Sequence, residues 1–513
     1  MAEITATNRI PGSVKGNSNM FEHLIAGFVT VISPTNLLFC FFGVTIGTII
    51  GVLPGVGPVA GTAMLVPFTF GMNATTAIIM LAGIYYGAMY GGSTTSILVN
   101  LPGESASVMT CLDGYQMGQK GRAGAALGIS AIGSFIAGTL SVIGLMLMAP
   151  PLAEFAIRFG PPEYFALMTL GMTLVISLVG ESMVKGLIAG AFGIFIGTIG
   201  MDPTTGIERF SYGIPTLLDG LSFVSVSVGL FAISEVLEMA ERSSQAPAYI
   251  DKISNLLPNR EDWKRSIFPI LRGSAIGFFA CAMPGAGATV ASMLAYATEK
   301  RISKHPEKFG TGIIEGVAAP EAANNAATGG AMIPLLVLGV PGSGTSAVMM
   351  GALLIHGMRP GPLLFEKHPD FFWAVTASMY LGNVMLLILN LPFVGIWARM
   401  LKIPHTLLIP LILAISSVGV FTVNNNLVEV WFMLLFGIIG YFMKKFGFPA
   451  APVVLALILT PLMENALQQS LQMSHQSISI FFTRPISLGL LIVAMLSLFS
   501  PLVRFLWAKS RSK

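Results

Sequence analysis

Three groups of residues in this chain have types and spacing suited to chemistry. The first is Ala318-Ala319-Pro320-Glu321-Ala322-Ala323-Asn324-Asn325-Ala326-Ala327. One carboxylate and two amides inside an apolar, small-residue stretch are costly unless something satisfies them. Small neighbours let a backbone or a ligand come close, so Asn324 and Asn325 are candidate ligand contacts; a structural polar clamp is the plainer alternative. The second group is a pair of breaks, Leu53-Pro54-Gly55-Val56-Gly57 and Met283-Pro284-Gly285-Ala286-Gly287. Proline ends a helix and glycine permits left-handed or tightly approached backbone. The helix that resumes has unpaired N–H groups and a positive dipole end, which suits a carboxylate or phosphate. A plain proline kink is the alternative reading.

The third group follows each break. Gly91-Gly92-Ser93-Thr94-Thr95-Ser96 runs on to Asn100-Leu101-Pro102-Gly103-Glu104-Ser105, and Gly329-Gly330 runs on to Val340-Pro341-Gly342-Ser343-Gly344-Thr345-Ser346. Hydroxyls and amides around unwound backbone coordinate an anion, a hard cation such as Na⁺, or both. Their ordinary use in bilayers is bonding between helices. The expected substrate contacts are Pro54, Gly55, Gly57, Ser93, Thr94, Thr95, Pro284, Gly285, Gly287, Asn324, Asn325, Ser343 and Thr345. Asn100, Ser96, Gly342 and Ser346 are assigned to a coupling cation.

The remaining polar residues are less specific. Glu104, Asp113, Glu163, Glu181, Lys185, Asp219 and Glu464 flank or enter apolar stretches and read as interfacial or ion-paired. His356 stands alone between apolar runs and reads as structural. Cys40, Cys111 and Cys281 lie far apart among small or apolar residues and read as buried hydrophobes. The sequence has no HExxH, nucleophile elbow, Walker A or CxxC, and no catalytic or metal-ligating set is assigned. No cofactor is expected beyond Na⁺ or H⁺ as a coupling ion.

Elements able to position these residues must lie in a bilayer. The chain has 513 residues, 54% hydrophobic and 10% charged, with a mean hydropathy of +0.78. A soluble chain of this length needs far more charge to cover its surface, and a disordered one far fewer apolar residues. The net charge of +4 leaves no nucleic-acid footprint. The fold expected is an all-α polytopic membrane protein with roughly 11–13 membrane elements, some broken or re-entrant. Spans are read at 36–53, 75–101, 124–149, 163–180, 184–200, 217–237, 266–283, 313–340, 371–397, 405–423, 427–443, 450–463 and 486–507. Residues 1–20 are polar and no cleavage site follows, so the N-terminus reads as retained, with 21–33 along the interface.

The polar stretch 241–265 lies near the middle and is too short to bury a core. Around it the breaks repeat: Leu53–Gly57 with Met283–Gly287 at an offset of 230, Gly91-Gly92 with Gly329-Gly330 at 238, and Leu101–Gly103 with Val340–Gly342 at 239. The ordered series points to two related halves, 1–240 and 266–513, joined by the loop 241–265. Lys300, Arg301, Lys304 and Lys308 mark a cytoplasmic segment whose first-half counterpart, 58–75, is uncharged; this favours inverted halves, with the site near the midplane. Lys120 and Arg122 pairing with Arg359 favours the opposite, parallel arrangement.

These motifs together resemble the large membrane subunit, or permease, of the tripartite tricarboxylate transporter family. The resemblance rests on Gly51–Pro58, Tyr90–Leu98, Asn100–Glu104, Asp113–Tyr115, Pro320–Asn325, Gly339–Ser343, His356-Gly357 and Pro360–Leu363, and spans about 21–505. It implies a multi-pass subunit of the bacterial inner membrane, accompanied by a small membrane subunit and a periplasmic solute-binding protein. It also implies an organic carboxylate substrate, such as citrate or a related di- or tricarboxylate, and uptake driven by Na⁺ or H⁺. The expected function is ion-coupled import of a carboxylate by alternating access. The rivals are a membrane-embedded enzyme and a passive anion channel.

Overall fold

The structure is a computed structural model that describes residues 16–511, except 179–181, 203–204, 242–252, 254, 286 and 402. It is almost wholly helical. Among the described residues the one sheet is the two-residue pairing of Gly200–Met201 with Glu208–Arg209. Eight described helices are long and apolar enough to cross a membrane, and four shorter apolar helices accompany them. The spanning helices include Pro34–Val52, Ala74–Val99, Ala123–Ala156, Pro369–Asn390, Leu427–Lys445 and Ala451–Met473.

Two expectations change. The expected span 313–340 is a helix, Glu315–Ile333, that passes into a π-helical turn, Pro334–Leu338, and stops at Gly339 in the left-handed region. Residues 260–265, read as the end of the polar loop, open the helix Arg260–Ala282 under a reciprocal cap between Asn259 and Asp262. Their charges lie in the first turns of that helix, so polarity there marks a helix end. The rest of that stretch, 242–252 and 254, lies outside the described residues, as do 1–15, Glu181 and Ala286. Residues 21–32 are helical within Gly16–Ile32 and Ser33 stands at the N-cap of the next helix, and Gly27 sits on the backbone of Trp373.

The breaks turn the chain back on itself. Pro34–Val52 and Gly57–Leu65 form a first hairpin around Pro54 and Gly55. Arg260–Ala282 and Gly287–Ile302 form a second around Pro284 and Gly285. The turning glycines have matching dihedrals: φ is +97° at Gly55 and +96° at Gly285, then +60° at Gly57 and +64° at Gly287. No L-residue adopts the first of these without strain.

Each hairpin packs on a core helix, Ala74–Val99 or Glu315–Ile333, by close backbone approach. Gly43 and Gly47 lie on the carbonyls of Met80 and Ile84; Gly273 and Gly277 lie on those of Ala319 and Ala323. Gly91 returns the contact to Thr48, and Gly330 to Phe278. A side chain at any of these positions would push two helices apart, which is how small residues hold membrane helices together. These contacts match Gly91 with Gly330, an offset of 239, where the dipeptide motif alone suggested 238.

The hairpins enter from opposite ends of the molecule. Thr76 Oγ1 donates to Asn36 Oδ1 at 2.6 Å, and Thr69 bonds His356 at 3.0 Å, which gathers the open end of the first hairpin at one end. Arg122–Asp262 at 2.5 Å, Arg265–Glu315 at 2.7 Å and Lys120 Nζ to the Thr311 carbonyl at 2.5 Å gather the open end of the second at the other. The core helix between these ends, 26 residues long, is about 39 Å.

Candidate functional site

Beyond each core helix lies the second break. Ala74–Val99 stops at Asn100, left-handed at φ 57° and ψ 29°, and Glu315–Ile333 leads to Gly339 at φ 71° and ψ 28°. Asparagine and glycine are the residues that tolerate this cap. The chain then restarts under reciprocal caps. Glu104 and Ser107 cap one restart, and Ser343 and Ser346 the other. By contrast, the helix Gly57–Leu65 in the first hairpin has no side-chain cap. Its N–H groups and dipole end are open to an anion.

The two halves cross where the breaks meet. Thr289 Oγ1, in the first turn of the second hairpin's return arm, donates to Ser105 Oγ at 2.9 Å. Gly344 sits against Val59, in the first turn of the first hairpin's return arm. Ser105 and Gly344 differ by 239, Val59 and Thr289 by 230, so the two crossings join matched positions with the partners exchanged. Within the second half, Gly285 N–H donates to the Gly342 carbonyl at 3.0 Å.

Behind this crossing lies a buried polar cluster. The Glu321 carboxylate, 0% exposed, accepts from Ser93 and Thr110, and from Ser130 Oγ at 3.2 Å. Asn324 Nδ2 donates to Glu104 Oε1 at 2.9 Å. Asn325 Nδ2 donates to Ser134 Oγ at 2.7 Å and to the Glu321 carbonyl at 3.1 Å. Asn324, Asn325 and Glu104 are 0%, 2% and 4% exposed. Among the described residues no Lys, Arg or His pairs with either carboxylate. All the donors that reach them are neutral.

The expected site residues therefore divide. Ser93, Asn324 and Asn325 converge on the carboxylates. Pro54, Gly55, Gly57, Pro284, Gly285 and Gly287 form the hairpin turns, and Gly55 comes up against Glu235, which is paired with Lys444. Thr95 donates to the Val52 carbonyl at 2.6 Å, and Ser96 to Ser107 Oγ at 2.9 Å, so both hold the second break against its surroundings. Thr94 and Thr345 are buried, and Asn100 is exposed. Ser343 and Ser346 are engaged in the cap, Ser343 N–H donating to Ser346 Oγ at 2.7 Å.

Sequence reasoning missed Glu104, Thr110, Ser130 and Ser134. Glu104 was read as interfacial or ion-paired; it is neither, because the reciprocal cap turns it inward to Asn324. Asp113 is also buried, with no ion pair among the described residues. It accepts from Tyr296 Oη at 2.8 Å and from the N–H groups of Gly310, Gly312 and Ile313 at 3.0, 2.7 and 2.9 Å. Glu163 and Glu464 are ion-paired as read, with Arg484 at 2.8 Å and Arg209 at 2.7 Å. Burial pushes His356 below its ordinary pKa. At its end of the molecule a cavity of about 580 Å³ opens between Phe70, Thr216, Asp219, Asn424, Asn426 and Glu429. The three cysteines are free and buried.

The broken helices, crossed hairpin tips and buried polar cluster define a polytopic all-helical membrane protein of the transport class. Residues 37–455 match the tripartite tricarboxylate transporter TctA family, and the chain belongs to it as a tripartite-transporter membrane subunit. It is 44% identical over 477 residues, 93% of this chain and 95% of the relative, to a protein of Agrobacterium vitis described as an uncharacterised 52.8 kDa protein in the TAR-I ttuC' 3' region. It is 41% identical over 235 residues, 45% of this chain and 96% of the relative, to an uncharacterised protein in the TAR-II ttuC' 3' region of the same organism. No solved structure matches.

Proposed function

We propose that this chain is the conducting subunit of a secondary carrier that imports an organic carboxylate, citrate or a related di- or tricarboxylate, across the bacterial inner membrane. It works with a small membrane subunit and takes substrate from a periplasmic binding protein. Transport is driven by Na⁺ or H⁺ and proceeds by alternating access between two inverted halves. The basic residues Lys120, Arg122, Lys264, Arg265, Lys300, Arg301, Lys304 and Lys308 set their end in the cytoplasm by the positive-inside rule.

The observation that carries this reading is the exchange of matched contacts at the hairpin tips, Ser105 with Thr289 and Gly344 with Val59. Reciprocal contact of this kind is the signature of a two-fold arrangement. Two hairpins entering from opposite ends place their return-arm N-termini at a shared depth, where inverted-repeat carriers hold substrate. The open N-terminus at Gly57, with its counterpart at Gly287, would meet substrate carboxylates.

The test is reconstitution with both partner subunits in proteoliposomes. Accumulation of labelled citrate or a related acid against its gradient, dependent on an ion gradient and on the binding protein, supports the carrier. Chemical conversion would establish an enzyme instead, and mere equilibration a channel.

A further inference from the structure

Two buried carboxylates that have no basic partner among the described residues are costly whenever both are ionised. Burying an unpaired ion costs several kcal/mol even after relaxation. Five hydrogen bonds to the two carboxylates come from hydroxyls, an amide and a backbone N–H group, which stabilise charge without neutralising it. Asn324 and Asn325 add a second, independent observation. Both spend their NH₂ groups as donors, and the amide oxygen of each is buried without a hydrogen-bond donor. Buried acceptors are rarely left so. An unmet carbonyl oxygen cannot take up a proton near neutral pH, but it is a good ligand for a hard cation.

Asn325 also lines a small cavity of about 10 Å³ with Tyr86, Tyr90, Thr328 and Asn383, beside the carboxylates and not lined by them, room for about one water-sized particle. Glu321, Asn324 and Asn325 share one face of a helix at spacings of three and four residues. Glu104 and Ser105 are consecutive: the first accepts from Asn324, and the second accepts from Thr289 in the first turn of the second hairpin's return arm. One residue step therefore separates the cluster from the place where a substrate carboxylate would sit.

We infer that the amide oxygens of Asn324 and Asn325, with the carboxylates of Glu104 and Glu321, bind a transported Na⁺. This rests on the carrier reading for its purpose but not for its test. The cation offsets one of the two carboxylate charges and fixes Glu104. Glu104 in turn sets the Ser105–Thr289 crossing, so cation and substrate are held by one short segment.

The experiment is equilibrium binding of ²²Na⁺ to the purified full-length chain in lipid nanodiscs, without substrate. Wild type is expected to bind saturably, and Na⁺, unlike choline, is expected to raise its melting temperature. Glu321→Gln and, separately, Glu104→Gln are expected to weaken binding by at least about tenfold, while Ser378→Ala leaves it within about twofold. Either glutamine variant that folds, as judged by a monodisperse profile and a cooperative melt, suffices for the comparison. If wild type binds no Na⁺, or if the folded glutamine variants bind as wild type does, the inference is overturned. Binding lost in the variants together with no carboxylate uptake by the reconstituted wild type would leave the cation site standing and remove the carrier reading. Ion-driven uptake that is indifferent to Na⁺ and follows a proton gradient would do the reverse.

Discussion

The Glu104–Asn324 region and its matched counterpart share a backbone but not a chemistry. At an offset of 239, Glu104 corresponds to Ser343 and Asn324 to Tyr85, while Asn325 corresponds to Tyr86 and Glu321 to Ala82. Both restarts carry the same reciprocal cap. Asn324 reaches Glu104, and Tyr85 faces Ser343. Asn325 bonds Ser134, and Tyr86 faces Ser378, the position 244 residues further on. One region gathers two carboxylates and two unmet amide oxygens; the other fills the same volume with rings and a methyl group. The difference teaches that the matched breaks supply geometry, and that side chains at one of them supply the charge.

The sharpest way to break this comparison is Asn324→Ala. It removes the described hydrogen bond between the Glu315–Ile333 helix and the Glu104 side chain, and uptake by reconstituted protein is expected to fall below detection with expression and membrane insertion unchanged. Normal uptake would end the assignment. Next comes the matched pair Glu104→Gln and Ser343→Ala. The first is expected to lower Na⁺-driven uptake about tenfold or more. The second removes only a cap, worth about 1 kcal/mol, and should act on thermal stability with a smaller loss of rate. Equal effects on the Na⁺ dependence of uptake would erase the asymmetry.

Gly47→Ala and Gly277→Ala probe the frame. Each places a methyl against a core-helix carbonyl, Ile84 or Ala323, and each is expected to cost roughly 1–3 kcal/mol, read as similar drops in melting temperature. Dissimilar drops would show that the two hairpins are not held alike. The smallest effect belongs to Tyr85→Phe, expected to leave Na⁺ affinity within about twofold because no cation is held on that side.

The sequence shows the frame more readily than the site. Pro54-Gly55 and Pro284-Gly285 stand out because proline and glycine dictate local backbone, so the hairpin turns are legible without tertiary information. Asn324 and Asn325 stand out because amides are rare against alanine. Glu104 does not: a glutamate just after Pro-Gly reads as a helix-end residue, and only the reciprocal cap with Ser107 turns it inward. Thr110, Ser130 and Ser134 are ordinary hydroxyls on three separate turns, gathered around Glu321 and Asn325 by packing alone. The helical start at 260–265 was masked for a related reason: charges that cap and cover a helix end look like a loop in composition.

The most direct test of the whole account is carboxylate accumulation by the complete three-part transporter in proteoliposomes under an imposed inward Na⁺ gradient, comparing wild type with Glu321→Gln. The account predicts accumulation above equilibrium for wild type, abolished when the gradient is collapsed, and none above equilibrium for a folded Glu321→Gln protein. Accumulation by Glu321→Gln equal to that of wild type would contradict it.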